Sequence, residues 1–428
     1  MTQAPIVSSA PDTDTRAPQG AAAHLRSTRA VRERASGLLA RARADQSIWF
    51  TIDDAAMATA ADEVAAATKS RYPGLRIPYH SRWRHFEAGG IDRRAELDRL
   101  LGDDATAYTR ARAHIDLALV SVLLDAGAGP DWKYVESASG QTFTRSEGLG
   151  VASFHAFTSG LFSSNPQRPL QADAAGLRGV ITDHLARAFQ VSEANPLVGL
   201  AGRATLLRRL GEVLHAQPEV YGPDGRPGAL FDEMANAIGG EIPPTAEFEL
   251  HDLLETLLAT LSGIWPAQNA IDGVPLGDCW RHGGVPGPGL TAGWMPFHKL
   301  SQWLTYSLIE PFEWAGVKVR GLDALTALPE YRNGGLLLDT GVIVPREADF
   351  ATRTWQAGDE CIVEWRALTV ALLDEIAPLV RDRLGLSADR MPLACVLEGG
   401  SWAAGRATAQ RLRGGSPPLL IDSDGTVF

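Results

Sequence analysis

Cysteine is scarce in this chain of 428 residues, and its three cysteines are widely spaced. Cys279, Cys361 and Cys395 form no Cys-x-x-Cys pair, so they offer neither a zinc-finger spacing nor a disulfide framework, and they favour a reducing compartment. The longest apolar run, residues 117–124, contains a serine and falls far short of the ~20 residues that span a membrane. No basic segment followed by an apolar core opens the chain, so no signal peptide is expected. These absences predict a soluble, cytoplasmic protein that does not enter a membrane.

Positive charge is also in short supply. With 40 basic and 51 acidic residues the net charge is -11, which argues against nucleic-acid binding because such proteins present a basic surface. A local positive pocket for one small phosphorylated ligand is compatible with this charge. Lysine is the scarcest basic residue and occurs only as Lys69, Lys133, Lys299 and Lys318. Since lysine is a compact point charge that arginine does not replace, each of the four is a candidate for a specific role.

Helical periodicity dominates what the chain does contain. We predict a disordered tail at residues 1–20, followed by one large, mainly α-helical domain over residues 21–428 with its site in the C-terminal half. Short strands are expected near Phe143, over 336–344 and over 419–421, and no strand–helix alternation suggests a dinucleotide-binding fold. The predicted helices cover residues 22–44, 53–69, 91–101, 104–126, 171–189, 199–216, 246–263, 299–310, 360–383 and 401–413.

The most informative stretch is 296–335, which gathers aromatic and charged side chains around one predicted helix. Leu300, Leu304 and Leu308 recur every four positions and predict a buried stripe. Pro311 is expected to end the helix at the preceding residue, because proline donates no backbone N–H. A second face consists of Lys299, Gln302, Tyr306 and Glu310. This face indicates a ligand-binding surface, although a solvated helix face has the same pattern.

Residues 79–90 combine two histidines with two arginines and a tryptophan. His80 and His85 are five positions apart, which suits neither a helical nor a strand pair of metal ligands, so we expect no metal there. Arg84 and His85 are instead candidates for clamping a phosphate or stacking on a planar ligand. An amphipathic surface segment is the structural alternative.

Two Gly-Gly segments lie next to carboxylates. Glu330 and Asp339 flank a predicted Gly-Gly turn, and carboxylates near polar donors suit general acid–base chemistry. The second segment consists of Glu398, Gly399, Gly400 and Ser401. It is expected to open a helix whose free N–H groups would bind an anion, although it lacks the Gly-Lys-Ser/Thr signature of a P-loop. A tight turn with a local ion pair and a plain serine cap are the structural alternatives. No nucleophile elbow or His-Glu-x-x-His motif occurs.

Together these segments resemble the uracil-catabolism family known as Urc-four or Urg-three. The resemblance runs in order from about residue 47 to the end of the chain, and Ala327 departs from it where the family pattern has glycine. It rests on HSRWRHFEAGG at 80–90, WKY at 132–134, RSEGLG at 145–150, NPLVGLAGR at 195–203, LGDCW at 276–280, PFHKLSQWLTYSL at 296–308, PEYRNGGLLLDTGV at 329–342, VEWRALTV at 363–370, EGGSWAAGR at 398–406 and SDGTVF at 423–428. FHKLSQ at 297–302 and PEYR at 329–332 are also similar to queuosine-salvage nucleoside hydrolases, which are helical and akin to DNA glycosylases.

The resemblance implies a role in the pyrimidine-degradation route that opens the uracil ring while the ribose is still attached. It implies a cofactor-free N-ribosyl hydrolase that acts on ribosylurea or its 5′-phosphate, in a fold like that of DNA glycosylases. Glu330 is the first candidate for the carboxylate that stabilises an oxocarbenium-like state, followed by Asp339 and Asp278. Candidate phosphate ligands are Lys299, Arg332, Gly399, Gly400 and Ser401, and further substrate-binding candidates are Arg84, His85, His298, Gln302, Trp303, Tyr331 and Glu398.

Two alternatives stay open. One is hydrolysis of an amide or ureido C–N bond, which usually requires a metal or an activated nucleophile. The other is a non-catalytic partner that binds another enzyme of uracil catabolism. The hydrolase expectation involves a small-molecule substrate and neither nucleic acid nor membrane.

Overall fold

Helices carry most of the chain in the computed structural model, which describes residues 14–125, 127–265 and 269–422. In chain order the α-helices are α1 Pro18–Leu25, α2 Thr28–Arg43, α3 Met57–Arg71, α4 Trp83–Phe86, α5 Arg93–Leu101, α6 Ala107–Leu123, α7 Arg145–Thr158, α8 Ala174–Arg178, α9 Thr182–Ala188, α10 Leu200–His215, α11 Pro218–Tyr221, α12 Leu230–Met234, α13 Leu250–Leu261, α14 Lys299–Trp314, α15 Tyr331–Asp339, α16 Glu360–Leu384, α17 Leu393–Val396 and α18 Trp402–Arg413. A π-helical segment, Leu397–Ser401, joins α17 to α18 without a break. The predicted mainly α class is confirmed, and the likeness to DNA glycosylases stays a prediction.

The strands of the described residues are short and pair two by two. The antiparallel pairs are β1 Phe50–Ile52 with β10 Ile343–Pro345, β2 Lys133–Val135 with β3 Thr142–Thr144, β5 Ala270–Ile271 with β6 Val274–Pro275, and β7 Cys279–Arg281 with β8 Trp294–Pro296. The parallel pairs are β4 Glu247–Glu249 with β9 Lys318–Arg320, and β11 Thr354–Gln356 with β12 Leu420–Asp422. Several of these pairs join distant parts of the chain, as where Phe50 lies opposite Pro345.

Helices α14 and α16 form the centre of the fold. Twelve of the 16 residues of α14 and 17 of the 25 residues of α16 are buried, as expected for helices surrounded by other elements. Helix α14 packs against α6 and α13, and α16 packs against α2 and α3. A continuous hydrophobic cluster extends from Val31 to Leu419. This cluster supports the proposal that residues 21–428 form one domain.

Helix α14 passes through Pro311 and ends at Trp314, so the predicted end of this helix at residue 310 is wrong. A proline at 311 leaves the carbonyl group of Ser307 without its usual helical donor. The indole N–H of Trp83 donates to that carbonyl at 3.0 Å, and Ser307 Oγ accepts the backbone N–H of Arg82 at 2.9 Å. The segment around α4 therefore supplies the missing hydrogen bond, and the same bond fixes it against α14.

Helix α15 extends to Asp339, so the strand predicted over 336–344 is wrong for its first part and only β10 remains. The Gly-Gly pair that was expected to form a turn lies inside this helix. A Cβ atom on Gly334 would clash with the ring of Trp365 in α16, and one on Gly405 in α18 would clash with a backbone oxygen of α15. These glycines therefore allow three helices to pack closely.

Two predicted helices are each divided in the structure. The helix expected over 22–44 is α1 and α2, because Ser27 caps a new helix by accepting the N–H of Ala30 at 3.1 Å. The helix expected over 171–189 is the short pair α8 and α9.

The chain ends bear on two further expectations. Helix α1 begins at Pro18, so the last residues of the predicted disordered tail are helical. Residues 1–13 and the terminal SDGTVF motif at 423–428 lie outside the described residues. Across the part of the chain that the structure describes, no helix combines the length and the apolar character needed to cross a bilayer.

Candidate functional site

A cavity of about 440 Å³ lies where the starts of α7, α14 and α15 meet the segment around α4 and the π-helical segment. Its volume falls within the roughly 300–1,000 Å³ of small-molecule sites. The charged lining residues are Arg71, Arg84, Arg145, Lys299, Asp125, Glu147, Glu330 and Glu398. The other lining residues are His80, Ser81, His85, Gly127, Ala128, Gly129, Ser146, Leu300, Trp303, Leu328, Tyr331 and Trp402. Charges of both signs together with aromatic rings suit a small polar metabolite.

Glu330 caps the N-terminus of α15 and lines the cavity. Its two carboxylate oxygens accept the backbone N–H groups of Arg332 and Asn333, each at 2.7 Å. Burial raises the pKa of Glu330, and these hydrogen bonds and the positive charge of Lys299 offset that effect only in part. A carboxyl group with a raised pKa is suited to accept a proton during a reaction near neutral pH.

Lys299 is the first residue of α14 and brings an ammonium group to the cavity. Its backbone N–H donates to Oδ2 of Asp278 at 3.0 Å, which fixes the start of the helix. Burial lowers the pKa of Lys299, and Glu330 is the largest of the charges that act against this effect. No residue in the described ranges forms a hydrogen bond or ion pair with the ammonium group. The group is therefore available to an oxygen of a ligand.

Glu398 lies in the π-helical segment and is bound by three side chains. Its Oε1 accepts hydrogen bonds from Nη2 of Arg71 at 2.6 Å and from the hydroxyl group of Tyr72 at 3.0 Å. Its Oε2 lies 2.9 Å from Nδ1 of His80. Burial acts to raise the pKa of Glu398, but His80 and Arg71 outweigh it and lower the pKa to about 2. Glu398 therefore stays ionised and anchors both Arg71 and His80.

Trp303 forms an aromatic wall of the cavity between two histidines. The ring centroids of His80 and His85 lie 6.4 Å and 5.9 Å from that of Trp303. Nδ1 of His85 accepts a hydrogen bond from Nη1 of Arg82 at 3.1 Å. Burial, followed by the charge of Arg82, lowers the pKa of His85 to about 4. His85 is thus neutral at physiological pH, and the wall suits a planar, uncharged group.

Arg84 and Arg145 line the cavity in different surroundings. Arg84 donates to Oε1 of Glu310 at 2.6 Å and pairs with Glu87 at 3.0 Å. Arg145 is exposed, opens α7 with a φ of 54°, and pairs with no carboxylate of the described residues. No side chain caps α7, so the first N–H groups of this helix lack a side-chain acceptor. The guanidinium group of Arg145 and these N–H groups are therefore available to an anionic group, beside the carboxylate of Glu147 in the first turn of α7.

The four predicted segments converge only in part. Seven of the predicted site residues line the cavity, namely Arg84, His85, Lys299, Trp303, Glu330, Tyr331 and Glu398. The eight that do not are Asp278, His298, Gln302, Arg332, Asp339, Gly399, Gly400 and Ser401. The roles of the seven lining residues remain predictions.

Asp278 is bound by Arg366 instead of facing the cavity. Its two carboxylate oxygens accept from Nη1 and Nη2 of Arg366, each at 2.8 Å, and the indole N–H of Trp280 donates to Oδ1 at 2.7 Å. Burial acts to raise the pKa of Asp278, but the charge and hydrogen bonds of Arg366 prevail and lower it. Asp278 is therefore an ionised carboxylate with its acceptors occupied, which joins the loop before α14 to α16.

His298 and Gln302 also hold the start of α14 in place. Nε2 of His298 donates to the carbonyl group of Leu25 at 2.9 Å. Gln302 accepts the backbone N–H of Thr326 at 2.7 Å, and its amide group donates to Thr326 Oγ1 at 2.6 Å and to the carbonyl group of Phe297 at 2.9 Å. Since these polar atoms already have protein partners, they orient the backbone and not a ligand.

Gly399, Gly400 and Ser401 lie inside a continuous helix that runs on from α17. The predicted anion site at a helix start is therefore wrong for these residues. A Cβ atom on Gly400 would clash with a backbone oxygen of Val64, so glycine here allows the π-helical segment to pack on α3. Ser401 Oγ donates to Oδ1 of Asn333 at 2.8 Å and joins this segment to α15.

Asp339 and Arg332 lie on parts of α15 that do not line the cavity. Asp339 accepts two hydrogen bonds from the guanidinium group of Arg413, at 2.7 and 2.8 Å. The side chain of Arg332 reaches the carbonyl group of Gly415 at 3.5 Å. Both residues connect α15 to the C-terminal end of α18.

Five charged or titratable lining residues were absent from the predicted site, namely Arg71, His80, Asp125, Arg145 and Glu147. His80 had been weighed only as a metal ligand. A usable signal existed for three of them, since His80 lies in the HSRWRHFEAGG motif and Arg145 and Glu147 lie in the RSEGLG motif. Arg71 and Asp125 lie at helix ends outside these motifs.

The described residues include one group of three side chains close enough to share a metal ion. His251, Asp252 and Glu255 at the start of α13 place one ligand atom each within 4.8 Å of the others. None of the three lines the cavity. A metal bound there would not contact a ligand in the cavity directly.

The fold and the cavity together define a mainly α-helical protein with a charge-lined cavity of the size of small-molecule sites. Residues 24–428 match the family model described as "Protein of unknown function (DUF1688)". The chain belongs to this family, which includes the relatives that its motifs resemble. It is 39% identical over 421 residues to Protein urg3 of Schizosaccharomyces pombe, an alignment that covers 95% of this chain and 98% of that protein. It is 38% identical over 378 residues to Uracil catabolism protein 4 of Lachancea kluyveri, covering 82% of this chain and 85% of that protein.

Proposed function

We propose that this protein acts in uracil catabolism and hydrolyses the N-ribosidic bond of ribosylurea or its 5′-phosphate to urea and ribose or ribose 5-phosphate. The pathway is supported by the name of the relative Uracil catabolism protein 4. The reaction is supported above all by Glu330, a half-buried carboxyl group with a raised pKa in the lining of the cavity.

Cleavage of an N-ribosidic bond develops positive charge on the sugar, so a carboxylate near C1′ lowers the barrier. The same carboxylate activates water by accepting its proton. Asp125, Glu147 and Glu398 each pair with an arginine. Glu330 forms no ion pair with any described residue, which leaves it as the strongest candidate for both tasks.

The remaining lining accounts for the rest of the substrate. Trp303 and the neutral His85 offer ring surfaces for the planar ureido group. The ammonium group of Lys299 is placed to bind an oxygen of the substrate. If the substrate is phosphorylated, Arg145 and the uncapped start of α7 favour the phosphate group.

The test is incubation of the purified full-length protein with ribosylurea and, separately, with ribosylurea 5′-phosphate. Release of urea together with free sugar would support the proposal, and the better substrate would decide whether the phosphate contributes. Release of ammonia in place of urea would support hydrolysis of an amide or ureido C–N bond. If neither compound is consumed, the proposal fails and the non-catalytic partner, tested by co-purification with another enzyme of uracil catabolism, becomes the better interpretation.

The matched variant for this test is Glu330→Gln, which keeps a side-chain oxygen that can cap α15 while removing the carboxylate. Urea release that is unchanged in Glu330→Gln would remove this residue from the mechanism.

A further inference from the structure

The hydrogen bond between Glu398 and His80 determines which ring nitrogen of His80 carries a proton. Glu398 is ionised and can only accept hydrogen bonds. Because its Oε2 lies 2.9 Å from Nδ1 of His80, that nitrogen carries a proton and donates it to the carboxylate. A neutral His80 therefore has its lone pair on Nε2, and a protonated one presents Nε2–H.

Nε2 of His80 is the part of the ring left for a ligand. His80 lines the cavity beside Trp303, and its backbone N–H donates to the carbonyl group of Ala394 at 3.0 Å, which holds the residue in place. Within the described ranges no residue forms a hydrogen bond with Nε2. The carboxylate–imidazole arrangement is one that holds a histidine ready for proton transfer.

We propose that His80 is the proton donor to the leaving ureido nitrogen and that Glu398 is its positioning residue. This role rests on the proposed N-ribosidic hydrolysis. A ureido nitrogen is a poor leaving group as an anion, so the reaction needs an acid on that side of the bond as well as a base beside the sugar. Glu330 and His80 provide one of each.

The proposed step balances as follows in atoms and charge. As the C1′–N bond breaks, its electron pair stays on nitrogen, which takes the proton from Nε2 of His80. Water adds to C1′, and Glu330 accepts the proton that the water loses. The products are urea and the free sugar, and a proton passed from Glu330 to His80 through solvent restores both residues.

Charged groups of both signs surround His80. Glu398 contacts it directly, and Arg71 lies behind that carboxylate. Glu330 and His85 also interact with it electrostatically, and His85 is neutral at physiological pH because its pKa is about 4. A proton donor must carry its proton before it acts, so a rate that depends on His80 should fall on the alkaline side of the pH profile.

The decisive experiment measures the pH dependence of kcat and kcat/KM for urea release by the full chain carrying His80→Asn. The asparagine amide can still donate to Glu398, but it has no counterpart of Nε2. We expect kcat to fall roughly 10²-fold or more with little change in KM, and the alkaline limb of the profile to disappear. Thermal unfolding of the variant checks that it is folded.

A second variant keeps the test decisive if His80→Asn does not fold. In Glu398→Gln the imidazole loses the negative charge beside its Nδ1, so the alkaline limb should move to lower pH. His155→Asn is the matched control, because His155 also bonds a carboxylate, Glu136 at 2.7 Å, but lies outside the cavity lining. Its alkaline limb should coincide with that of the wild type.

Each result has one meaning. If the wild type releases no urea, the proposed function fails and the role of His80 fails with it. If the wild type releases urea and the alkaline limb is unchanged in both His80→Asn and Glu398→Gln, only the role of His80 is overturned. Loss or displacement of the limb in these variants alone supports it.

Discussion

A carboxylate accepts backbone N–H groups at the start of α14 and another does so at the start of α15, and the two carboxylates differ in one partner. Asp278 accepts the N–H of Lys299 at the first turn of α14, and Glu330 accepts two N–H groups at the first turn of α15. Arg366 binds both oxygens of Asp278 and its pKa is lowered, whereas Glu330 forms no ion pair among the described residues and its pKa is raised. The same local position therefore serves structure in one case and suits chemistry in the other, according to whether a guanidinium group is present.

The largest effect is expected where the unpaired carboxylate is removed. Glu330→Gln should lower kcat for urea release by roughly 10²–10⁴-fold, because the base and the negative charge near C1′ are lost. The free energy of unfolding should fall by only about 0.5–2 kcal/mol, since the amide oxygen can still accept one of the two backbone N–H groups that the carboxylate accepts. Steady-state kinetics and urea denaturation measure the two quantities. Glu147→Gln, which removes a lining carboxylate paired with Arg406, is the control, and an equal loss in both variants would contradict a special role for Glu330.

Removing the carboxylate of Asp278, which is paired with Arg366, should instead lower the free energy of unfolding. Asp278→Asn removes the negative charge that binds the buried guanidinium group of Arg366, which should lower the free energy of unfolding by about 3–5 kcal/mol. Urea denaturation followed by tryptophan fluorescence measures this loss. A folded variant of unchanged stability that has lost turnover would place Asp278 in the chemistry and abolish the contrast between the two helix starts.

Falling pH should act on different quantities at the two sites, on activity at Glu330 and on stability at Asp278. The raised pKa of Glu330 means that kcat/KM falls as the pH drops through that pKa, because the base must be ionised, and Glu330→Gln should lack this acid limb. The lowered pKa of Asp278 stabilises the folded state above the unfolded pKa, and this contribution is lost as the pH falls through the folded pKa. The stability deficit of Asp278→Asn should therefore shrink below about pH 4. A deficit that stays constant down to low pH would contradict this assignment.

The smallest effect concerns a third helix start, that of α7, which has no capping carboxylate. Arg145→Gln should raise KM for ribosylurea 5′-phosphate by about tenfold and leave KM for ribosylurea nearly unchanged, because only a phosphate would use the guanidinium group. Parallel kinetics with the two substrates measure the difference. An equal change in KM for both substrates would show that Arg145 does not bind a phosphate.

The sequence predicted the helical class and the burial of Leu304 and Leu308 in α14, for which periodicity suffices because it depends on neighbouring residues. Leu300, the third member of the predicted stripe, is only partly buried and lines the cavity. Lys299 and Glu330 were grouped in one site by the family resemblance, and both line the cavity. The roles of Asp278 and His80 were out of reach because their partners, Arg366 and Glu398, are 88 and 318 positions away. The predicted helix end before Pro311 was wrong for the same reason. The indole N–H that replaces the missing helical donor comes from the distant residue Trp83. Glycines next to carboxylates suggested ligand contacts, but they serve the close packing of helices.

In the π-helical segment Leu397–Ser401, the number of residues determines which way the side chains of Glu398 and its neighbours point. A turn closed between positions i and i+5 holds one residue more than an α-helical turn, so the residues on either side differ in phase by about 100°. Deleting one residue here would let α17 run into α18 as an ordinary helix and rotate Glu398 away from Arg71 and His80. In an alignment of relatives, a single-residue gap at 397–401 would mark chains that keep the fold and lose the carboxylate–imidazole pair.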